Sequence, residues 1–268
     1  MRPKREYDAG RRFVLKAGLG LTGAAMGTLF STCALGQVCR LPTPRQTLGP
    51  FFPDDGDAAR EIRENLDFRL PIAEANDNDL TFVQGLEGRA QGQPVIIRGH
   101  VLFGRSSRCV PQPGAVVIMW NASATGRYNH LGDQYNTTYK HPKTGKTIER
   151  KDDENFQYWG RCITDAEGRY EFRTIVPGYY PIDLERGLFR PPHLHFKITT
   201  PRQPEMVTQL YFKGDAIEEN ALIQELNRKD IILRDPRLTR EEQESLIVEY
   251  KKNADGVLVG DYDFVLTF

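Results

Sequence analysis

A chain of 268 residues, 39% hydrophobic and 27% charged, has enough apolar mass for one sizeable core with short appendages at most. Its formal net charge is zero, but residues 1–36 hold six Lys/Arg against two acids, which leaves the remainder with 30 basic and 34 acidic residues, a net of −4. That balance excludes nucleic-acid binding as the main business of the protein, and 24 Gly with 17 Pro point to a turn-rich β fold rather than a helical bundle.

Residues 10–36, GRRFVLKAGLGLTGAAMGTLFSTCALG, run from a charged start through an apolar stretch (Ala17 to Phe30) to small residues, the layout of an export signal. Arg11–Arg12 followed by Phe-Val-Leu-Lys resembles a twin-arginine signal. The resemblance implies export of an already folded protein by the twin-arginine machinery, to the periplasm or beyond, with any metal loaded beforehand. Cleavage is expected after Gly36, with Ala34 at the small −3 position. The uncharged run from Ala17 to Val38 is also long enough to span a bilayer, so an uncleaved anchor is the alternative; the glycines within it favour the cleaved signal. Cleavage leaves Cys39, Cys109 and Cys162, so at most one bridge can form within a chain. Without a Cys-x-x-Cys pair, a structural zinc site is not expected.

Residues 37–93 are Pro-, Gly- and acid-rich with little periodicity, and read as an extended amino-terminal arm packed on the core. Within it TLGPFFP (47–53) is expected to lie over the core, and 59–66 to form a short helical turn. From Pro94 the texture changes. PVIIRGHVLFG (94–104) and AVVIMWNA (115–122) are strand candidates separated by a PQPG turn. Residues 131–159 form a polar excursion whose charge-rich part, KTGKTIERKDDE, reads as solvated surface, with a lid over a site as the alternative. RCITDAEGRYEFRTIVPG (161–178) reads as strand, turn, strand.

FRPPHLHFKITT (189–200) follows. In an extended backbone Leu194, Phe196 and Ile198 share one face and His193, His195 and Lys197 the other. The apolar face joins a core, and the two imidazoles project together on the opposite side, as half-exposed polar residues or as metal ligands. MVTQLYF (206–212) is another strand, and residues 217–229 and 239–250 are expected to be helical, with Thr239 as N-cap and Glu242 three positions on. DYDFVLTF closes the chain as a strand. Short strands with turn punctuation predict a mainly β architecture: an antiparallel β-sandwich over 94–268 with long loops and one or two short C-terminal helices.

GRYNHLGDQY (126–135), GRCITDAEGRYEFRTIVPGYYP (160–181), FRPPHLHF (189–196) and TQLYFKGD (208–215) together resemble the intradiol ring-cleavage dioxygenases, nearest to the protocatechuate 3,4-dioxygenase type and its β subunit. TLGPFFP and WNASATGRY add to the match. The resemblance implies one non-haem Fe(III) per chain, held by Tyr128, Tyr180, His193 and His195. Phenolate oxygens suit a hard trivalent cation, and two phenolates with a hydroxide cancel its three charges. It also implies that a catechol-type ring binds through both oxygens, that hydroxide and Tyr180 leave and take up its two protons, and that O2 cleavage of the ring gives a muconate-type dicarboxylic acid. Arg190 matches an arginine that stabilises charge developing on the ring; Gln209 matches a residue lining the same pocket, and Trp120 an aromatic behind the ligands. Ile182 departs from the tryptophan often found there in protocatechuate-type members, which changes a pocket wall and leaves the ring substituent open. No helical segment precedes Pro94 of the kind that dimerises the catechol and hydroxyquinol branches, so a homo- or hetero-oligomer of the protocatechuate sort is the expectation. The rival readings are the same iron chemistry on another or larger catechol, and a non-catalytic β-sandwich binding module.

Overall fold

The computed structural model describes residues 41–52, 77–105, 108–201 and 203–267; the expected signal and the helical turn at 59–66 lie outside them. Alternation of apolar and polar residues sets the two main sheets. In the first, the twelve-residue β1 (Pro94–Arg105) is the spine. One edge pairs in parallel with β14 (Leu258–Asp261) and then β15 (Phe264–Leu266). Its other edge pairs antiparallel with β7 (Arg169–Ile175) and then β2 (Arg108–Pro111), while β13 (Lys251–Lys252) extends the sheet beyond β14.

The second sheet has the order β12, β11, β10, β3, β6. These are Ile247–Glu249, Gln203–Lys213, His193–Thr200, Val116–Trp120 and Trp159–Ile163. The pairings are antiparallel except β11 with β12. Two hairpins stand apart, β4 (Thr138–Lys140) with β5 (Thr147–Glu149), and β8 (Tyr180–Asp183) with β9 (Leu188–Arg190). The expected sandwich is therefore present, with parallel pairings at β1 and β12 that alternation alone does not reveal.

The core lies between the sheets. Leu194, Phe196 and Ile198 of β10 and Val117 and Met119 of β3 are buried, as are Val95, Ile97, Val101 and Phe172 of the facing sheet. Phe196 meets Phe172 with ring centroids 6.2 Å apart and Phe264 at 4.9 Å. Removing such side chains from water, at about 25 cal/mol per Å2, is the main stabilising contribution. The described part of the arm runs along this body: Gln46 N–H donates to the Val207 carbonyl at 2.9 Å, and Thr208 Oγ1 donates to Pro44 at 2.7 Å.

Helix α1 (Asn220–Lys229) buries Leu222, Ile223 and Leu226 on one face. It starts later than the expected 217, because Glu219 takes a left-handed turn (φ 56°). Helix α2 (Arg240–Ser245) has the expected Thr239–Glu242 capping box but stops well short of 250. Ile247–Glu249 instead forms β12, where the β-branched pair joins the β11 ladder and Val248 is buried. Cys109 is disulfide-bonded and Cys162 is free, its half-buried thiol pushed up to about 12 by burial. No helix among the described residues is long and apolar enough to cross a membrane.

The excursion at 131–159 is not wholly solvated surface. Lys143 and Lys146 are exposed, but Asp133, Tyr139, Arg150 and Asp153 are buried. Tyr139 packs with Tyr179, Leu222, Leu226 and Phe189 in a satellite core, so the β4–β5 hairpin docks on α1. His141 Nδ1 accepts two backbone N–H groups, which leaves its Nε2 to donate to Glu219 at 2.7 Å.

Candidate metal centre

Strand β10 supplies two donors by its alternation. His193 and His195 lie on the face opposite Leu194 and Phe196, and both are nonetheless buried, at 2% and 3% exposure. Neighbouring strands fix the surroundings: Trp120 of β3 and Gln209 of β11 are in register with His195, and Tyr211 with His193. The Trp120 and His195 rings stack at 4.7 Å with 12° between planes. His193 Nδ1 lies 2.7 Å from the Pro191 carbonyl, which requires a proton on Nδ1 and turns the Nε2 lone pair inward.

The tyrosines arrive on turns. Tyr128 ends a tight turn in which Gly126 has φ 79°, and a Cβ on Gly126 would come 2.7 Å from the Tyr179 carbonyl oxygen. Only glycine lets the Tyr128 turn lie this close to the Tyr179–Tyr180 strand start. Tyr128 Oη lies 2.9 Å from His195 Nε2 and 3.2 Å from His193 Nε2, and the two Nε2 atoms are 3.1 Å apart. The Tyr180 ring meets that of Tyr128 edge to face at 5.7 Å and lies 6.0 Å from the His193 ring. Phe51 covers the pair from the arm, 4.7 Å from the Tyr128 ring.

Three donor atoms in a triangle of about 3 Å sides fit one small cation. Bonds of about 2.1 Å meeting near right angles give that spacing. The charges agree. Burial holds the Tyr128 phenol well above its usual value, reinforced by Tyr180, and raises Tyr180 likewise against the pull of Arg190. Burial and Arg190 depress both imidazoles well below theirs. Neutral imidazoles present lone pairs, and the phenols need a cation before they can ionise. No cluster of three His, Cys, Asp or Glu side chains that could hold a metal occurs among the described residues; the donor set here is two His with Tyr.

Arg190 stands directly across the β8–β9 hairpin from Tyr180. Its Nε donates to Asp230 at 2.6 Å and its Nη2 to Gln209 Oε1 at 2.6 Å, with Tyr211 Oη at 3.3 Å. Burial opposes its charge, but Tyr211, Tyr180 and Asp230 outweigh that and keep it protonated. Gln209 in turn donates to the Thr47 carbonyl at 3.0 Å. Of the residues singled out from sequence, Tyr128, Tyr180, His193, His195, Trp120, Gln209 and Arg190 are thus neighbours. Ile182 sits on β8 with 40% of its surface exposed. Asp230, Tyr211, Asp133 and Arg150 escaped the sequence reading: Asp133 and Tyr211 stand inside matched motifs with no local sign of their contacts, whereas Asp230 and Arg150 stand outside them and reach the site only through the fold.

The fold and this donor set define a class. The family profile described as Dioxygenase matches residues 70–267, and the chain belongs to the intradiol ring-cleavage dioxygenase family. Among its relatives, the protocatechuate 3,4-dioxygenase β chain of Burkholderia cepacia is 37% identical over 142 residues, covering 53% of this chain and 54% of that one. A chlorocatechol 1,2-dioxygenase of Pseudomonas sp. (strain P51) is 29% identical over 132 residues, 45% of this chain and 44% of the other. The chain thus spans about half the length of these curated relatives. An intradiol ring-cleavage dioxygenase structure from Tetranychus urticae shares the fold with a TM-score of 0.54 at 18% identity, covering 85% of this chain and 95% of that one.

Proposed function

We propose that this chain is a non-haem Fe(III) intradiol dioxygenase that adds both atoms of O2 to a catechol-type, protocatechuate-like ring and yields a muconate-type dicarboxylic acid. The observation that carries the reading is the convergence of Tyr128 Oη with the Nε2 atoms of His193 and His195, at 2.9 to 3.2 Å, beside the Tyr180 ring. Tyr128, Tyr180, His193 and His195 would hold the iron. A ferric ion bound there supplies the positive charge that draws in both catechol oxygens and activates the ring toward O2.

The chain's own groups do the rest. Tyr180 Oη would accept a catechol proton. The Arg190 guanidinium, held by Asp230 and Gln209, offers fixed positive charge to the anion that develops on the ring. Pro191 holds the His193 tautomer, and Trp120 and Phe51 exclude water from the donors. Ile182 would border the substituent end of the pocket. Residues 1–36 would act as a twin-arginine export signal, 37–93 as an arm on the core, and 94–268 as the dioxygenase domain, alone or in an oligomer.

O2 uptake by the iron-loaded protein across a panel of catechols tests the reading. Consumption with at least one catechol, yielding a ring-opened dicarboxylate, is expected; iron binding with no uptake across the panel would leave a binding module. Export has its own test: replacing Arg11 and Arg12 by Lys should retain the protein in the cytoplasm.

A further inference from the structure

Arg150 belongs to the charge-rich excursion, far in sequence from every donor, yet its side chain is 2% exposed. Its guanidinium makes contacts on every edge. Nη2 donates to Asp133 Oδ2 at 2.7 Å and to the Gly126 carbonyl at 2.6 Å, Nε donates to the same carbonyl at 3.0 Å, and Nη1 donates to the Tyr135 carbonyl at 2.9 Å. Asp133 Oδ2 also accepts the Tyr128 N–H at 2.8 Å. The Cζ of the group lies over the Tyr180 ring, 5.1 Å from its centre. One cation therefore grips both ends of the turn that presents Tyr128 and lies against the ring of Tyr180.

We propose that Arg150 is a positioning residue for the two phenol donors, which fixes the Tyr128 turn and sets, by its charge on the Tyr180 ring, how strongly that oxygen donates to the metal. The inference rests on the iron reading above. A cation over an electron-rich ring is attracted to it, most strongly when desolvated. It stabilises the ring most when the oxygen is anionic and electron-rich. Such a stabilised phenolate gives up electron density less readily, so phenolate-to-iron charge transfer requires more energy. Loss of the fork of hydrogen bonds alone would affect the Lys and Met variants alike, and that separates the charge from a purely structural role.

The test is the visible absorption of the ferric protein, compared among wild type, Arg150→Lys and Arg150→Met. Lys keeps the charge but not the fork of hydrogen bonds; Met keeps neither. The charge-transfer band should move to longer wavelength in Arg150→Met and stay nearer the wild-type position in Arg150→Lys. An unchanged band in the Met variant, or equal shifts in both, overturns the proposal. Because Arg150→Met leaves Asp133 buried and unpaired, Arg150→Met with Asp133→Asn serves if the single variant does not fold. It removes both charges and keeps an acceptor for the Tyr128 N–H, and the same direction of shift is expected. A wild-type protein without any such band overturns the iron reading and this inference with it.

Discussion

The two histidines and the two tyrosines of the candidate centre become neighbours by different means. His193 and His195 ride on a central strand, and their direction follows from the period of the backbone and the burial of Leu194 and Phe196 behind them. The tyrosines sit at turns and strand ends, where no period dictates direction. Their placement depends on Gly126, on the Tyr128 N–H bond to Asp133, and on Arg150 from the excursion. Regular structure makes a donor pair rigid at little cost in sequence. A turn needs several distant residues for the same result.

The largest effect should come from deleting a donor on either side of this contrast. Tyr128→Phe or His195→Ala should lower iron affinity by about 100-fold or more, beyond the usual cost of disturbing groups behind a ligand, with turnover lost alongside; full activity with bound iron in either variant removes that residue from the ligand set. Next comes the rigid strand's hidden face. Leu194→Ala should cost about 2–5 kcal/mol in urea unfolding of the metal-free protein; a loss under about 1 kcal/mol would mean that β10 does not depend on this core.

Arg190→Ala separates chemistry from assembly. The variant should retain iron while its kcat falls about 100- to 1000-fold, as for loss of one preorganised charge-stabilising group; unchanged turnover would take Arg190 out of the mechanism. The smallest effect is a pH dependence of the metal-free protein. Burial and Arg190 depress both imidazoles below 6.5, so the unfolded chain binds protons that the folded one refuses. Their contribution is complete at higher pH and is lost as pH falls below about 6.5, by at most about 1.4 kcal/mol per pH unit for each ring. The melting temperature should fall across that window, and His193→Gln should flatten the slope; an equal slope in the variant would assign it to other groups.

The same contrast explains what could be read from sequence. The His-x-His strand, its apolar back and the Thr239–Glu242 cap are local patterns, legible from alternation and spacing. Tyr128 and Tyr180 became legible through family motifs, since a lone tyrosine carries no period. The extended helix expected to 250 failed because Ile247–Glu249 answers to a parallel partner, β11, distant in the chain. Asp230, at the end of α1, and Arg150, in a stretch that composition marks as surface, take their roles from pairings across 40 and 24 residues. Such pairings leave no local trace.

One measurement bears on the centre most directly: ferric titration of purified, metal-free protein followed by visible absorption. A red-brown phenolate band that saturates at one iron per chain is the predicted result. Saturation with no band, or no saturable binding at all, would mean that the phenols of Tyr128 and Tyr180 do not meet the two imidazoles on a common metal.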